Sequence, residues 1–314
     1  MHVNAMPSPA RTAPGRLPVS RTAVAALGGL LLTGCGSTAD PASQTSSALR
    51  ERLPQAVRAA GKLRIGSDLH YAPVDFKDAD GTPAGLDPEL AAAFGSYLGL
   101  RVEFVDLPFE KLIPAVQHKE IDLAMSAVID TKQRQEGLDD SGRPADPGVD
   151  FVDYFITGTS ILVQHSNPLG ISSLDDLCGH TVALQRGTIQ DELAARQTAA
   201  CDKVAKPLTI HRLDTDAQAL AEVASGAAAA DLNDYPTAAY NTRTSQGGSS
   251  FELTGAQLQS IPYGLTLDKA DTALRDVLAK ALDQLIRDGS YDKILTKWGI
   301  NPGAVQGAVV NGGH

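Results

Sequence analysis

The chain has 314 residues, 43% of them hydrophobic and 20% charged, which suits about two domains with real cores and excludes a disordered or collagen-like chain. A formal net charge of −10 argues against a nucleic-acid binder, because phosphate contact needs clustered Lys and Arg. Three cysteines are too few for a disulfide scaffold or a four-thiolate zinc site, and their odd number asks for an explanation.

Residues 1–34 carry Arg11, Arg16 and Arg21, no acid, and then the apolar run 23–32. That run is shorter than the ~20 residues a mature spanning helix takes. A basic stretch followed by a short apolar one reads as an export signal. Leu32-Thr33-Gly34-Cys35 closes the run and resembles the lipobox of bacterial lipoproteins, in which the cysteine takes the lipid. After Cys35 the residues to 47 are small and polar, so 35–47 reads as a flexible tether. Removing the three arginines from a charge of −10 leaves −13 on the remaining chain. An exported chain lives where disulfides persist, so the remaining pair, Cys178 and Cys201, is predicted to be bonded. No second apolar span follows, so lipid alone would hold the body to a membrane.

Leu49, Leu53 and Val57 recur every fourth residue and predict one short amphipathic helix ending near Gly61. A strand at 63–66 follows. Asp87-Pro88 offers an N-cap with proline at the first helical position, opening a helix through Leu90, Phe94 and Leu98 to Gly99. A strand at 102–105, a helix at 112–117 and a strand at 121–125 complete a βαβαβ alternation, the mark of an α/β layer with a largely parallel sheet. The stretch 137–149, rich in Gly, Pro and Asp, is loop chemistry. Alternation then resumes with strands at 181–184, 208–213 and 229–232 and helices at 190–200, 217–224 and after Pro236. Leu274, Leu278, Leu282, Leu285 and Ile286 share one helical face, with Gly289 as a stop, and a last helix covers 290–298. Two α/β units of similar size fit two lobes, and ligand clefts between lobes are common. The chain has no Gly-x-Ser-x-Gly, P-loop or His-Glu-x-x-His motif, and its histidines lack metal-ligand spacing. Enzyme chemistry is therefore not signalled, and no cofactor or metal is expected.

Several segments together resemble the family 3 extracellular solute-binding proteins of amino-acid ABC importers. They are Gly61-Lys-Leu-Arg-Ile-Gly-Ser-Asp68-Leu-His-Tyr71-Ala-Pro73, Gly85-Leu-Asp87, Phe109-Glu-Lys-Leu-Ile-Pro, Lys119-Glu-Ile-Asp-Leu-Ala-Met-Ser126, Thr131-Lys-Gln-Arg134, Gln185-Arg-Gly187-Thr188, Asn233-Asp234-Tyr-Pro236, Pro262-Tyr263-Gly264 and Asp288-Gly-Ser-Tyr. Their order and spacing over roughly 55–300 carry the likeness. It implies an α/β, two-lobe periplasmic-binding-protein-like fold (type II), with two crossover strands near 158–162 and 259–263 and an interlobe ligand cleft. Lobe 1 would be 48–158 and 262–314, and lobe 2 would be 159–261.

The resemblance also implies residue roles. Arg134 would grip the ligand α-carboxylate with a bidentate fork that lysine cannot reproduce. Asp234 would take the α-ammonium, although it is also placed to cap the helix after it. Tyr71 and Phe109 would wall the ligand side chain, and Asp68 would contact a side chain bearing donors. Gln185 and Gln190 would line the same region, Thr188 and Ile189 would offer backbone N–H groups at a helix start, and Ser126, Ala127 and Val128 would line the lobe 1 side. Ile129 stands where relatives often have Thr or Ser. The partners implied are a free amino acid, polar in side chain by the Asp68 argument, the transmembrane permease with its ATPase, and a membrane reached through the Cys35 lipid. The implied protein is a monomer on the outer face of the bacterial cell membrane. The rival readings are a ligand-sensing receptor and a dehydratase on the same fold.

Overall fold

A computed structural model describes residues 41–139 and 141–314. The expected export signal, Cys35 and tether residues 36–40 lie outside the described residues. Among the described residues no helix is long and apolar enough to cross a membrane.

Helix α1 (Pro41–Glu51) corrects the tether at its far end, because residues 41–47 are helical. Leu49 and Leu53 are buried, and the Ser46 hydroxyl donates to the Tyr97 carbonyl at 2.8 Å, so this end is docked. The predicted single helix is two: α2 (Gln55–Ala60) starts after Pro54, whose ring and missing N–H break a continuous ladder. Gly61 ends α2 in the left-handed region, as its position suggested.

Strand β1 (Lys62–Ser67) is followed by a small antiparallel meander of β2 (His70–Tyr71), β3 (Asp75–Lys77) and β4 (Pro83–Ala84). Helix α3 (Leu86–Leu98) starts one residue before the expected cap. Gly85 precedes it at φ 122°, where an added Cβ would sit 2.3 Å from the Val74 carbonyl oxygen. Asp87 is therefore no cap. It is buried, and its carboxylate accepts from the Tyr154 hydroxyl at 2.7 Å and from the Ala127 N–H at 3.1 Å. Burial pushes its pKa up to about 7.

Strand β5 (Arg101–Asp106), helix α4 (Leu112–Gln117), strand β6 (Leu123–Ala124) and the short helix α5 (Lys132–Glu136) complete the first half. The loop after α5 is turn structure tied to α4, since the Asp146 carboxylate accepts from the Gln117 amide at 2.8 Å and the Gly148 N–H at 2.7 Å. The long strand β7 (Val149–Gln164) then leads to β8 (Thr181–Gln185), α6 (Ile189–Lys203), β9 (Thr209–Leu213), α7 (Asp216–Ser225), β10 (Ala230–Asp234) and α8 (Tyr235–Thr244). The second long strand, β11 (Phe251–Asp268), returns to α9 (Thr272–Arg287), α10 (Ser290–Trp298) and β12 (Val309–Val310).

The strand order is β5-β1-β6-β11-β7-β10-β8-β9, with β12 on β7. β1 pairs parallel with β5 and β6, and β8 pairs parallel with β9 and β10. β7 and β11 pair antiparallel between these two groups, so the sheet is mixed rather than largely parallel. The reason is connectivity: two strands that cross between lobes in opposite directions must run antiparallel. Each lobe has its own apolar core. One gathers Leu63, Phe94, Leu123, Tyr263 and Leu282, and the other gathers Ile161, Leu177, Val182, Leu184 and Leu232. The predicted bond joins Cys178 to Cys201 within the second core, Cα to Cα 5.0 Å.

The crossover is where backbone regularity fails. The β7–β11 register shifts between Thr254 and Leu258 and again between Leu258 and Ile261. An added Cβ on Gly158 would lie 2.3 Å from the Gln259 carbonyl oxygen, and Gln259 itself sits at φ 56°. Gly158 has no room for a side chain while Gln259 is exposed, and this irregular stretch of the crossover is the natural place for a hinge.

Candidate functional site

The cavity between the lobes is lined by Asp68, Tyr71, Phe109, Ser126, Ala127, Ile129 and Arg134 from one side and by Gln185, Thr188, Ile189, Gln190 and Asp234 from the other. Eleven of the twelve residues singled out from sequence meet there. Val128 does not. Its side chain packs in the core with Leu112, Val116 and Phe151. Ala127, at φ 50°, and Ile129, on either side of Val128, line the cavity.

Arg134 is held on α5, whose N-cap Thr131 accepts from the Arg134 N–H at 3.2 Å. Its guanidinium donates to the Ile129 carbonyl at 2.9 Å and, across the cleft, to the Gly187 carbonyl at 3.1 Å. It also stands 5.9 Å from the Phe109 ring centroid, within cation–π range. Among the described residues no carboxylate lies within ion-pair distance of it. Helix α5 is itself braced: the Gln135 amide donates to Asp130 at 2.7 Å and to the Gly313 carbonyl at 3.2 Å. The Gly313 N–H donates to Asp130 at 2.8 Å.

Asp234 precedes Pro236 at the start of α8, but its side chain makes no cap. It is buried and accepts instead from the Gln190 amide at 2.8 Å, while the Tyr71 hydroxyl lies between it, at 3.1 Å, and Asn233. Burial raises its pKa to about 6, opposed by the hydroxyls of Tyr263 and Tyr71, the Gln190 amide and the charge of Arg134. Behind it, the Asn233 amide donates to Asp216 at 2.6 Å and to Asp231 at 2.9 Å. Asn233, Asp216 and Tyr263 are supporting residues that the sequence reasoning did not single out for the site. The acid-rich run Asp231-Leu-Asn-Asp234 was the available signal.

Asp68 is also buried, and its pKa is raised by that burial. The Gln185 amide donates to its carboxylate from the other lobe. Thr188 caps α6, accepting from the Asp191 N–H at 3.2 Å, and the start of this 15-residue helix lies at the cavity. Asp68, His70 and Asp106 bring metal-ligand atoms within 4.8 Å of one another. However, Lys77 already pairs with Asp106 and Gln185 with Asp68.

The lobes are closed on each other. Tyr71 to Asp234, Gln185 to Asp68 and Arg134 to Gly187 all cross the cleft, and Arg186 pairs with Glu110 at 3.5 Å. About 20 Å³ stays free between them, the room of about one water. Two lobes joined by two antiparallel crossing strands, with oppositely charged residues lining the cavity between them, are the architecture of a solute-binding protein.

The chain belongs to the bacterial extracellular solute-binding proteins, family 3, whose profile matches residues 63–301. The arginine-binding protein ArgT of Corynebacterium glutamicum is 28% identical over 265 residues, covering 84% of this chain and 82% of the relative. An ancestral arginine-binding protein solved with arginine is 30% identical, with TM-score 0.68, covering 76% of this chain and 98% of that one. The ancestral amino acid-binding protein AncCDT-1, a precursor of cyclohexadienyl dehydratase, is 32% identical, with TM-score 0.66, covering 81% and 99%. The relatives are binding proteins rather than enzymes, and so is this chain; the family is extracellular, so it acts outside the cytoplasm.

Proposed function

We propose that this protein captures a free amino acid between its lobes and delivers it to an ABC permease served by an ATPase. The body, with lobe 1 at 48–158 and 262–314 and lobe 2 at 159–261, works as a monomer tethered through lipid on Cys35. The observation that carries the reading is the pair Arg134 and Asp234, opposite charges from facing lobes lining one cavity. A zwitterion fits that pair, carboxylate to the guanidinium and ammonium to Asp234. Asp68 leaves a second buried carboxylate for a side chain with donors, and arginine, named for the relatives, is the first ligand to test.

Thermal shift of the soluble body is the direct test. At 100 times Kd, arginine adds about 2.7 kcal/mol of stability. If no common amino acid raises the melting temperature, the reading is wrong. A Cys35→Ser chain expressed in cells should lose palmitate label; persistent label would place the anchor elsewhere.

The raised carboxyls set a pH signature. Asp234 is pushed up to about 6, Asp216 to about 7 and Asp153 to about 8, in each case chiefly by burial. Their folded pKa values lie above the ordinary 3.8, so the empty fold binds more protons than the unfolded chain between those values. Their stability contribution is full below the ordinary value and lost as pH rises through about 6 to about 8. The melting temperature of the empty protein should therefore fall across that window. Arginine affinity should move the other way, weakening as pH drops through about 6, because the ammonium needs an ionised Asp234. Melting curves and calorimetry at a series of pH values check both; a flat affinity profile would remove Asp234 from the ammonium site.

A further inference from the structure

A second cavity, with about 440 Å³ of free space, shares no lining residue with the cleft. Its volume is that of a small-molecule site. The apolar walls are Phe155 and Ile156 of β7, Tyr235 of α8, and Ile300 and Pro302 beyond α10. Gln257, Gln259 and Ser260 of β11 add amide and hydroxyl groups. Among the described residues, Arg243, near the end of α8, is the one charged residue of the lining. Its guanidinium makes no ion pair or side-chain hydrogen bond among the described residues. In a chain of net charge −10, a cavity whose sole charge is positive selects an anion. Apolar walls beside one unpaired fork suit a small carboxylate with an aromatic body.

We propose that this cavity is a second ligand site, for a small aromatic carboxylate held by Arg243, and that its occupancy is coupled to lobe closure. The coupling follows from which elements make the walls. Tyr235 and Arg243 ride on α8, Ile300 and Pro302 follow α10 on the other lobe, and Gln259 is the hinge residue at φ 56°. Rotation about the hinge changes the spacing between these walls. An occupant that touches both sides with the lobes shut favours the shut arrangement, so it tightens amino-acid binding. By linkage, the amino acid tightens the carboxylate by the same factor. Tyr235 adjoins Asp234, so consecutive residues face the two cavities.

The coupling rests on the proposed amino-acid function; the second site itself does not. The probes are phenylacetate and its uncharged analogue phenylacetamide, read by calorimetry and by the fluorescence of Trp298, the one tryptophan, which adjoins Gly299 of the cavity wall. Phenylacetate should bind saturably and at least about tenfold tighter than the amide, since a charge-assisted hydrogen bond discriminates them. Arg243→Gln, on an exposed helical position, should bring phenylacetate down to the level of the amide and still bind arginine. Arg134→Ala should still bind phenylacetate saturably, since Arg134 is not part of the second cavity. Saturating phenylacetate should tighten arginine, and arginine should tighten phenylacetate, by one factor. The second site is overturned if phenylacetate fails to bind, binds Arg243→Gln equally, or is lost with Arg134→Ala, which would put it in the cleft. Independent binding of the two ligands would overturn the coupling. Phenylacetate binding without any amino-acid binding would leave the second site standing and sink the proposed function.

Discussion

Arg134→Ala is expected to weaken arginine binding by about 10²- to 10³-fold, and Asp234→Ala by a similar factor. Each substitution leaves one charge of a zwitterion enclosed and unpaired, a loss of ~3–4 kcal/mol. Misfolding is not the route to this loss. Among the described residues the Arg134 guanidinium bonds only two carbonyls, of Ile129 and Gly187, and Asp234 is a carboxyl whose burial raises its pKa to about 6. Removing that buried charge should hold or raise the melting temperature of the empty protein at neutral pH. Arg134→Lys keeps the charge and loses the fork, so its affinity should fall between the two. Calorimetric titration with arginine reads all three variants. Affinity retained in both alanine variants would refute the assignment of the pair.

Replacing both Cys178 and Cys201 by serine should cost about 3 kcal/mol of stability, from the chain entropy of an unfolded loop no longer closed. The bond spans 23 residues of sequence. It ties the turn before β8 to the far end of α6, the helix whose first residues, Ile189 and Gln190, line the cleft. That first turn is held independently by the Thr188 cap and by Gln190 on Asp234. Melting temperature should therefore drop clearly, while arginine affinity should change by much less. An unchanged melting temperature in the double variant would remove the bond from the fold's stability.

Local signals carried much of the architecture. Helix 112–117 and the glycine stops at 61 and 99 were legible because proline, glycine and apolar period act within a few residues. The 16-residue β7 was not, because it is buried along nearly its whole length and shows no alternation to mark it as one strand. Asp87 misled because a buried carboxylate bonded to Tyr154 and an N-cap look alike in sequence. In the cleft, the charged pair was legible only through the family likeness; spacing alone does not bring residues 100 apart together. Val128 was singled out with its neighbours as one run, but Ser126, Ala127 and Ile129 line the cavity while Val128 packs in the core.

The closed cleft has a consequence for selectivity. Tyr71, Gln185 and Arg134 already bond to groups on the opposite lobe, so the protein carries a built-in competitor for its own site. If the empty protein keeps these contacts, an incoming solute has to replace them, and its apparent affinity is discounted by the fraction of molecules open to receive it. A solute that satisfies only one of the two charges falls short of the internal partners it displaces. On the proposed reading, those contacts would set an entry threshold that a solute matching only one of the two charges does not pass.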